Sequence, residues 1–596
     1  MGTKAGEART EPRPRHGLGH WVPGVHVLRT YRKSWLRPDL IAGIVLAAIL
    51  VPQGMAYAEL AGLPTVTGLY TTIACLVVYA LMGPSRVLVL GPDSSVSPLI
   101  FAAITPLLVG AGGDPAAAIA LAGMLALLVG LIEIGLGLGK LGFVADLLSK
   151  EVQVGYMNGL AITIIVGQLP KLFGFSTDAD GFGPEVKAFF QNLDQTNTKA
   201  LVLGLSTLAV LLILPRITKR IPAVLVAVVG ATLVSALLDL SSKGVKTVGT
   251  LPTGLPTPSF PWTKASDVLP LLGAAVGIVL VSLTDTIATS TAFAARRGDE
   301  VDPNQEMIGI GAANIGAGFF QGFAISASSS RTAVAEQAGS KSQMTGLVGA
   351  AIVALLLLFF PGVLKDLPQT ALAAVVIAAA TSLMDVPILR RFLRVRRSAF
   401  VLSVVATIGV VVFGVLEGIL LAVILSIVLF FKRNWWPHGE VLGRGPDGWH
   451  ALAQRPHAEQ VDGVVVYRWE APLFFANAGI FREQIRRLVR RRKPTWIVLQ
   501  CEAITDVDIT AADVLERLDQ ELNAQGVHLA FVELRDRLRQ LVLRYGLLTT
   551  LDSEHFFPTV DAAVEAIERE RSDAPPGVLV DEPGRTDAGP EAEPTP

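Results

Sequence analysis

The chain has 596 residues, of which 51% are hydrophobic and 17% charged. That balance excludes an ordinary soluble domain, and repeated apolar runs of about 17–25 residues, the length that crosses a bilayer as helix, identify a polytopic helical membrane protein. A formal net charge of −1 argues against a nucleic-acid partner, and two cysteines, Cys75 and Cys501, in regions of different character rule out a disulfide framework.

Residues 1–37 form a basic, polar segment with no signal-peptide core, and the first apolar run begins near Leu40. Fourteen spans are predicted at 39–58, 66–83, 93–110, 116–138, 150–173, 199–215, 220–239, 269–292, 304–322, 328–338, 344–361, 368–385, 399–414 and 416–432. The tenth is too short to cross alone. The short basic loops all fall on one face. They hold Arg29, Arg32, Lys33 and Arg37, then Arg86, Lys140, Arg216, Lys219, Arg220, Arg296, Arg297, Lys341, the cluster Arg390, Arg391, Arg394, Arg396 and Arg397, and finally Lys432 and Arg433. The positive-inside rule makes that face cytoplasmic, with both termini on it, in a cell (plasma or inner) membrane. The opposite loops, 174–197 and 240–267, are longer and rich in Gly, Pro and Asp. After Arg433 the composition changes. Strands at Gly463–Trp469, Thr495–Cys501 and Val527–Glu533 alternate with helices at 479–492, 511–524 and 534–545, the pattern of a small α/β domain. The domains are therefore 1–37, a transport domain at 38–433, the α/β domain at 434–571, and an acidic tail at 572–596 expected to be disordered.

Two polar breaks interrupt the apolar spans. Ser328, Ser329, Ser330 and Arg331 open the tenth span. Arg near a bilayer centre costs roughly 2.5–3.5 kcal/mol unless it faces a wet cavity or an anion. A helix starting at these serines aims free N–H groups and the positive end of its dipole at that cavity. Serine-mediated helix packing is the plain structural alternative. Gly91-Pro92-Asp93-Ser94-Ser95-Val96-Ser97 opens the third span, and Pro92 suits the first turn of a helix. Breaks seven spans apart predict an inverted repeat whose two helix N-termini share one pocket. The first and eighth spans correspond likewise. Gln53 and Tyr57 share one helix face; Ser282, Asp285 and Thr289 form one polar stripe. An acid inside a span is a functional-site candidate by default; for Asp285 the alternative is an ion pair, with Arg331 as a partner.

These residues resemble the SulP sulfate-permease family, bacterial relatives of animal solute carrier family 26. The resemblance rests on Pro38-Asp39 followed by Val51-Pro52-Gln53-Gly54-Met55-Ala56-Tyr57-Ala58, on Leu90-Gly91-Pro92-Asp93-Ser94, on Asn304-Gln305-Glu306, and on Ser328-Ser329-Ser330-Arg331-Thr332. The tail resembles a STAS domain. The family implies a fourteen-span, seven-plus-seven inverted repeat with core and gate domains, a cytoplasmic STAS domain, and a homodimer. It maps Gln53, Tyr57, Ser94, Ser328, Ser330 and Arg331 to the substrate pocket, and the neighbouring Ser95 and Ser329 are expected to bind substrate with them. It makes Asp285 with Thr289 the coupling-cation position, a candidate sodium site. Asp93 departs from relatives with a small or apolar residue there, and a carboxylate beside an anion needs a proton or a partner such as Arg331. Thr510 falls at the phosphorylated position of anti-sigma-factor antagonists; a helix N-cap is the structural alternative.

The expected function is secondary active symport of an inorganic oxyanion, sulfate or bicarbonate, driven by sodium or protons. The chain is read as a carrier, not an enzyme, with no cofactor beyond that ion. It has no Walker A sequence, so ATP is not the evident energy source. The alternatives are a C4-dicarboxylate carrier, an uncoupled exchanger or channel, and a protein whose STAS domain is the active module.

Overall fold

A computed structural model describes residues 22–24, 29–108, 114–142, 149–177, 179, 181–218, 222–547 and 553–573. Most of the N-terminal segment, Lys219 and Arg220, and the acidic tail beyond Asp573 lie outside the described residues. The chain divides into two compact units, 1–427 and 428–596.

In the first unit, helices follow the fourteen predicted spans in order. The first half holds α1 (Leu36–Leu60), α2 (Thr65–Met82), the short strand β1 (Leu90–Gly91), α3 (Ser97–Leu108), α4 (Pro115–Leu138), α5 (Lys150–Phe173), α6 (Phe182–Gln191), α7 (Thr198–Ile217) and α8 (Ala223–Leu237). The second holds α9 (Ala265–Arg297), α10 (Pro303–Phe319), β2 (Ser326–Ala327), α11 (Ser329–Gln337), α12 (Met344–Phe359), α13 (Gln369–Leu383), α14 (Val386–Val395), α15 (Arg397–Phe413) and α16 (Val415–Trp435). The halves match element by element, including a strand before the third helix of each. They also match in α6 and α14, ten-residue amphipathic helices between the fifth and sixth spans of each half. Sequence reading left both as loops, because ten residues with charge on one face make no apolar run.

Among the described residues seven helices are individually long and apolar enough to cross a membrane. The helices α3 and α11 are not. At 1.5 Å per residue they reach only about 18 and 14 Å, against a hydrocarbon core of about 30 Å. Their crossover strands complete the depth. β1 and β2 pair antiparallel, Leu90 opposite Ala327 and Gly91 opposite Ser326. Backbone groups at membrane depth are thus satisfied inside the protein.

The helices form two bundles. α1–α4 pack with α9–α12, and α5, α7, α8, α13 and α15 pack with one another. In lipid, close packing rather than water exclusion drives helix association, so small residues line the contacts. Gly123, Gly130 and Gly137 recur every seven residues on α4 and face α10. A Cβ at Gly130 would lie 2.5 Å from the Gly311 carbonyl oxygen, and one at Gly137 would lie 2.7 Å from that of Asn304. Likewise a Cβ at Gly155 on α5 would meet the Ser403 carbonyl of α15 at 2.2 Å.

Two family motifs act as clamps within the first bundle. Asp39 Oδ1 accepts from the Lys341 and Ser342 N–H groups at 2.6 and 3.2 Å, and its Oδ2 accepts from Ser342 Oγ at 2.7 Å. Glu306 accepts from the Tyr79 hydroxyl and, at 2.7 Å, from Ser85 Oγ.

The second unit is a six-stranded sheet in the order β4-β3-β5-β6-β7-β8. β3 (Gly439–Gly445) is antiparallel to β4 (Gly448–Ala451) and to β5 (Val464–Trp469). β5, β6 (Trp496–Gln500), β7 (His528–Val532) and β8 (Phe556–Phe557) run parallel. Side chains alternate across the sheet. Tyr467, Trp469, Ile497, Leu499 and Leu529 share a core with α17 (Ala478–Arg492), α18 (Ile509–Asn523) and α19 (Asp536–Arg544). Val464, Val466, Trp496 and Val498 join Val560 and Ile567 of α20 (Val560–Asp573) on the other face. Sequence reading missed β3, β4, β8 and α20.

Candidate functional site

The two crossover strands set up the site. Ser328 N–H continues the ladder onto the Val89 carbonyl at 3.1 Å, and Thr332 Oγ1 accepts from Val89 N–H at 3.0 Å. The starts of α3 and α11 are thereby fixed side by side. A cavity of about 1000 Å³ lies in front of them. Gln53, Tyr57, Asp93, Ser94, Asp285, Ser328, Ser329, Ser330 and Arg331 line it from the first bundle, facing Met157, Leu211 and Val375 of the second. The lining reaches Lys150, Thr218 and Asp385, at helix ends next to the short basic loops, and that end is called its mouth.

Arg331 is the dominant charge. It is 1% exposed. Its Nη1 donates to the Pro92 carbonyl, and its Nη2 lies 3.7 Å from Asp93 Oδ2. That distance gives an ion pair and no hydrogen bond. Nε and Nη2 therefore have no hydrogen-bond partner among the described residues. A buried donor left unpaired costs about 1–3 kcal/mol, and more for a charged group. The guanidinium lies against Gly91, where a Cβ would be 3.5 Å away.

Asp93 starts the third span. Its Oδ1 accepts from Ser95 N–H at 3.0 Å and Ser95 Oγ at 2.9 Å, and its carbonyl accepts from Ser97 N–H. It behaves as the N-terminal cap, while Pro92 stands before the cap. The expectation that Pro92 occupies the first helical turn is corrected: the helix begins at Ser97, because Asp93 takes the free N–H groups. Ser95 does not line the cavity. It sits between two carboxylates, bonded to Asp93 and in hydrogen-bonding reach of Asp285.

The polar stripe of the eighth span is divided. Asp285 lines the cavity. Thr289 Oγ1 and Ser329 Oγ are hydrogen-bonded at 2.7 Å. Ser282 turns away, donating to Glu133 Oε1 at 3.0 Å and lying 3.3 Å from the Ile325 carbonyl. Thr286 Oγ1 accepts from Ala327 N–H at 3.3 Å. Apart from Asp285, α9 buttresses β2 and α11. Arg331 pairs with Asp93, so the alternative of an Asp285–Arg331 pair is not what forms. Tyr57 is buried and lines the cavity beside Ser94. Ser328 takes the N-cap position of α11 by backbone only; its hydroxyl is 3.1 Å from that of Ser330.

Sequence reading missed two residues. Glu133 of α4 is fully buried; beyond Ser282 it takes Asn314 Nδ2 at 2.8 Å, and Asn314 Oδ1 in turn accepts from Ile325 N–H at 2.9 Å. The signal was available: one carboxylate in an otherwise uncharged span. Tyr156 of α5 is buried, its hydroxyl has no partner among the described residues, and it lies close enough to feel the charge of Asp285. Nothing in its sequence neighbourhood marks it.

In the second unit Thr510 is exposed in the first turn of α18. The cap is Asp508, whose Oδ1 accepts from Ala511 N–H at 2.8 Å. Thr510 is therefore not the N-cap.

The family model for the sulfate permease family matches residues 36–406, and that for the STAS domain matches 455–563. A probable sulfate transporter of Mycobacterium tuberculosis is 41% identical over 553 residues, covering 92% of this chain and 98% of that protein. Two solved structures share the fold. Murine solute carrier 26 family member A9, described as an anion transporter in the inward-facing state, has a TM-score of 0.84 at 24% identity, covering 95% of this chain and 96% of that one. The transmembrane domain of a cyanobacterial bicarbonate transporter has a TM-score of 0.58 at 23% identity, covering 66% of this chain and 98% of that one.

Proposed function

The chain belongs to the sulfate permease family, and on that premise we propose that it is a proton-coupled symporter of an inorganic oxyanion, sulfate first, working by alternating access. One observation carries the reading: a buried arginine with two unpartnered N–H nitrogens, in a cavity bounded by the starts of two helices. A tetrahedral oxyanion offers acceptors to those nitrogens, to the serine hydroxyls and to the amides of α11. The name of the Mycobacterium tuberculosis relative supports sulfate; bicarbonate and C4-dicarboxylates are the competitors to test.

The charges explain coupling. With Asp93 and Asp285 both ionised, two carboxylates oppose one guanidinium. A proton on Asp285 leaves the Asp93–Arg331 pair, and the anion then meets less repulsion. The two bindings favour each other, by a reciprocal coupling of typically about 1–3 kcal/mol. Sodium needs several oxygen ligands. The hydroxyls of Thr289 and Ser329 are bonded to each other and that of Ser95 to Asp93, whereas a proton needs only the carboxylate. The cavity mouth lies on the face of the basic loops, which supports a cytoplasmic opening, cytoplasmic termini and insertion in the cell membrane. Dimerisation belongs to the same reading, by analogy with the family.

The test is uptake by purified protein in vesicles of labelled sulfate, bicarbonate and succinate. Each is run under a pH gradient without sodium and under a sodium gradient at constant pH. Sulfate accumulation under the pH gradient alone is expected. Accumulation under sodium alone would reassign the cation, and succinate in place of sulfate would reassign the substrate.

A further inference from the structure

Helix α14 joins the twelfth and thirteenth spans, and no side chain in it is buried. Asp385 starts it, its Oδ1 accepting from Ile388 N–H at 3.0 Å, while Asn158 Oδ1 of α5 accepts from Asp385 N–H at 3.2 Å. At 3.6 residues per turn, Arg390, Arg391 and Arg394 share one arc of about 100°. Val386, Ile388, Leu389, Phe392, Leu393 and Val395 occupy the remainder. Leu393 is 49% exposed and Val395 77%. Arg396 and Arg397 follow at once, also exposed. None of these five arginine side chains makes an ion pair or a hydrogen bond among the described residues.

We propose that α14 is an interfacial anchor that holds anionic phospholipid in the leaflet at the cavity mouth. Two independent features fit that occupant. In the apolar arc Val386, Leu393 and Val395 are exposed and Ile388, Leu389 and Phe392 only half-buried, and a helix with a strong hydrophobic face and a basic one lies in the plane of a membrane interface. The basic arc has no acid of its own, and the planar guanidinium fork matches a phosphate bidentately. A soluble acidic partner would satisfy the arginines and leave the apolar arc wet. A neutral lipid surface would satisfy the apolar arc and leave the arginines unpaired. The anchor lies between α13 and α15 and is tied to α5, so lipid held there steadies the second bundle while the first moves against it. The five arginines do not line the anion cavity, although Asp385 and Ile388 do, and lipid binding to them does not depend on which anion is carried.

The test uses the full chain in vesicles of phosphatidylcholine alone, or of phosphatidylcholine with phosphatidylglycerol. Lipid retained after mild extraction is read by native mass spectrometry. Wild type is expected to retain phosphatidylglycerol over phosphatidylcholine. R390Q/R391Q/R394Q should lose that preference by at least about tenfold, since each basic group near an anionic surface contributes a factor of roughly five. Its melting temperature in detergent should not change. R390K/R391K/R394K keeps the charge and should retain part of the preference. If the triple variant does not fold, R390Q and R394Q alone should each reduce the preference about fivefold. Undiminished retention in the glutamine variants would overturn the proposal. So would displacement of the lipid by inorganic phosphate at low millimolar levels, together with a raised KM in phosphatidylcholine vesicles, because the arginines would then gather free anions at the mouth.

Discussion

Glu59→Gln breaks an ion pair that closes the face opposite the cavity mouth. Glu59 ends α1 in the first bundle and Lys171 ends α5 in the second, 3.0 Å apart. Lys150 lies at the mouth; Lys171 stands 21 residues further along the same helix, about 32 Å away. The pair therefore exists only while that outer face is shut. At 3.0 Å and an effective dielectric near 20, the attraction is about 5 kcal/mol. The side chains are 18% and 28% exposed, so solvent screening and desolvation offset most of this, leaving about 1 kcal/mol. Removing it shifts the balance toward the outward-open state by roughly fivefold. Ala379→Cys places a thiol in the cavity wall, and the native Cys75 and Cys501 are both buried. An impermeant thiol reagent added on the Glu59 side should modify that cysteine about fivefold faster in E59Q than in its parent. Lys171→Gln should act equally, the double variant no more than either, and the swap E59K/K171E should restore the slow rate. Equal rates in parent and single variants, or additive effects, would refute a latch.

Asp285→Asn keeps the shape and removes the titrating charge; it should lose accumulation under a pH gradient and keep anion exchange, measured by counterflow. Asp93→Asn leaves the Arg331 guanidinium without its ion pair and should tighten anion binding several-fold while slowing release, read as a lower KM with a lower maximal rate. Glu133→Ala leaves Asn314 Nδ2 without its acceptor, costing about 1–3 kcal/mol, and Ser282 with only the longer bond to the Ile325 carbonyl; it should lower thermal stability and uptake together, with Glu133→Gln recovering most of both. Thr510→Asp adds charge at the start of α18, where a helix tolerates it. It should leave the order of preferred anions unchanged in competition uptake.

The legible parts of this fold are those written as runs. Apolar stretches gave the order of the spans, and the interruptions at Gly91–Ser97 and Ser328–Arg331 marked the meeting of the two short helices. What stayed hidden was written in another form. α6 and α14 are amphipathic and short, so hydropathy passes over them. The β3–β4 hairpin is hidden although Gly445-Pro446-Asp447-Gly448 is a turn signal, because neither strand carries an apolar run. The roles of Ser282 and Ser95 were misread because spacing says which residues share a helix face but not what faces them. Ser282 looks at Glu133, and Ser95 at Asp93. The Glu59–Lys171 pair joins residues over a hundred positions apart, with no local sign of each other.

The central claim is that Arg331 supplies the charge that selects an oxyanion. Equilibrium binding of labelled sulfate to purified protein tests it without gradients or turnover. Wild type should bind saturably, with competition by excess unlabelled sulfate. Arg331→Ala should lose at least about tenfold in affinity, the cost of one charge-assisted contact, with its melting temperature in detergent retained. Arg331→Lys should recover only part, lacking the planar fork. Unchanged sulfate affinity in a folded Arg331→Ala protein would contradict the account and move the site elsewhere.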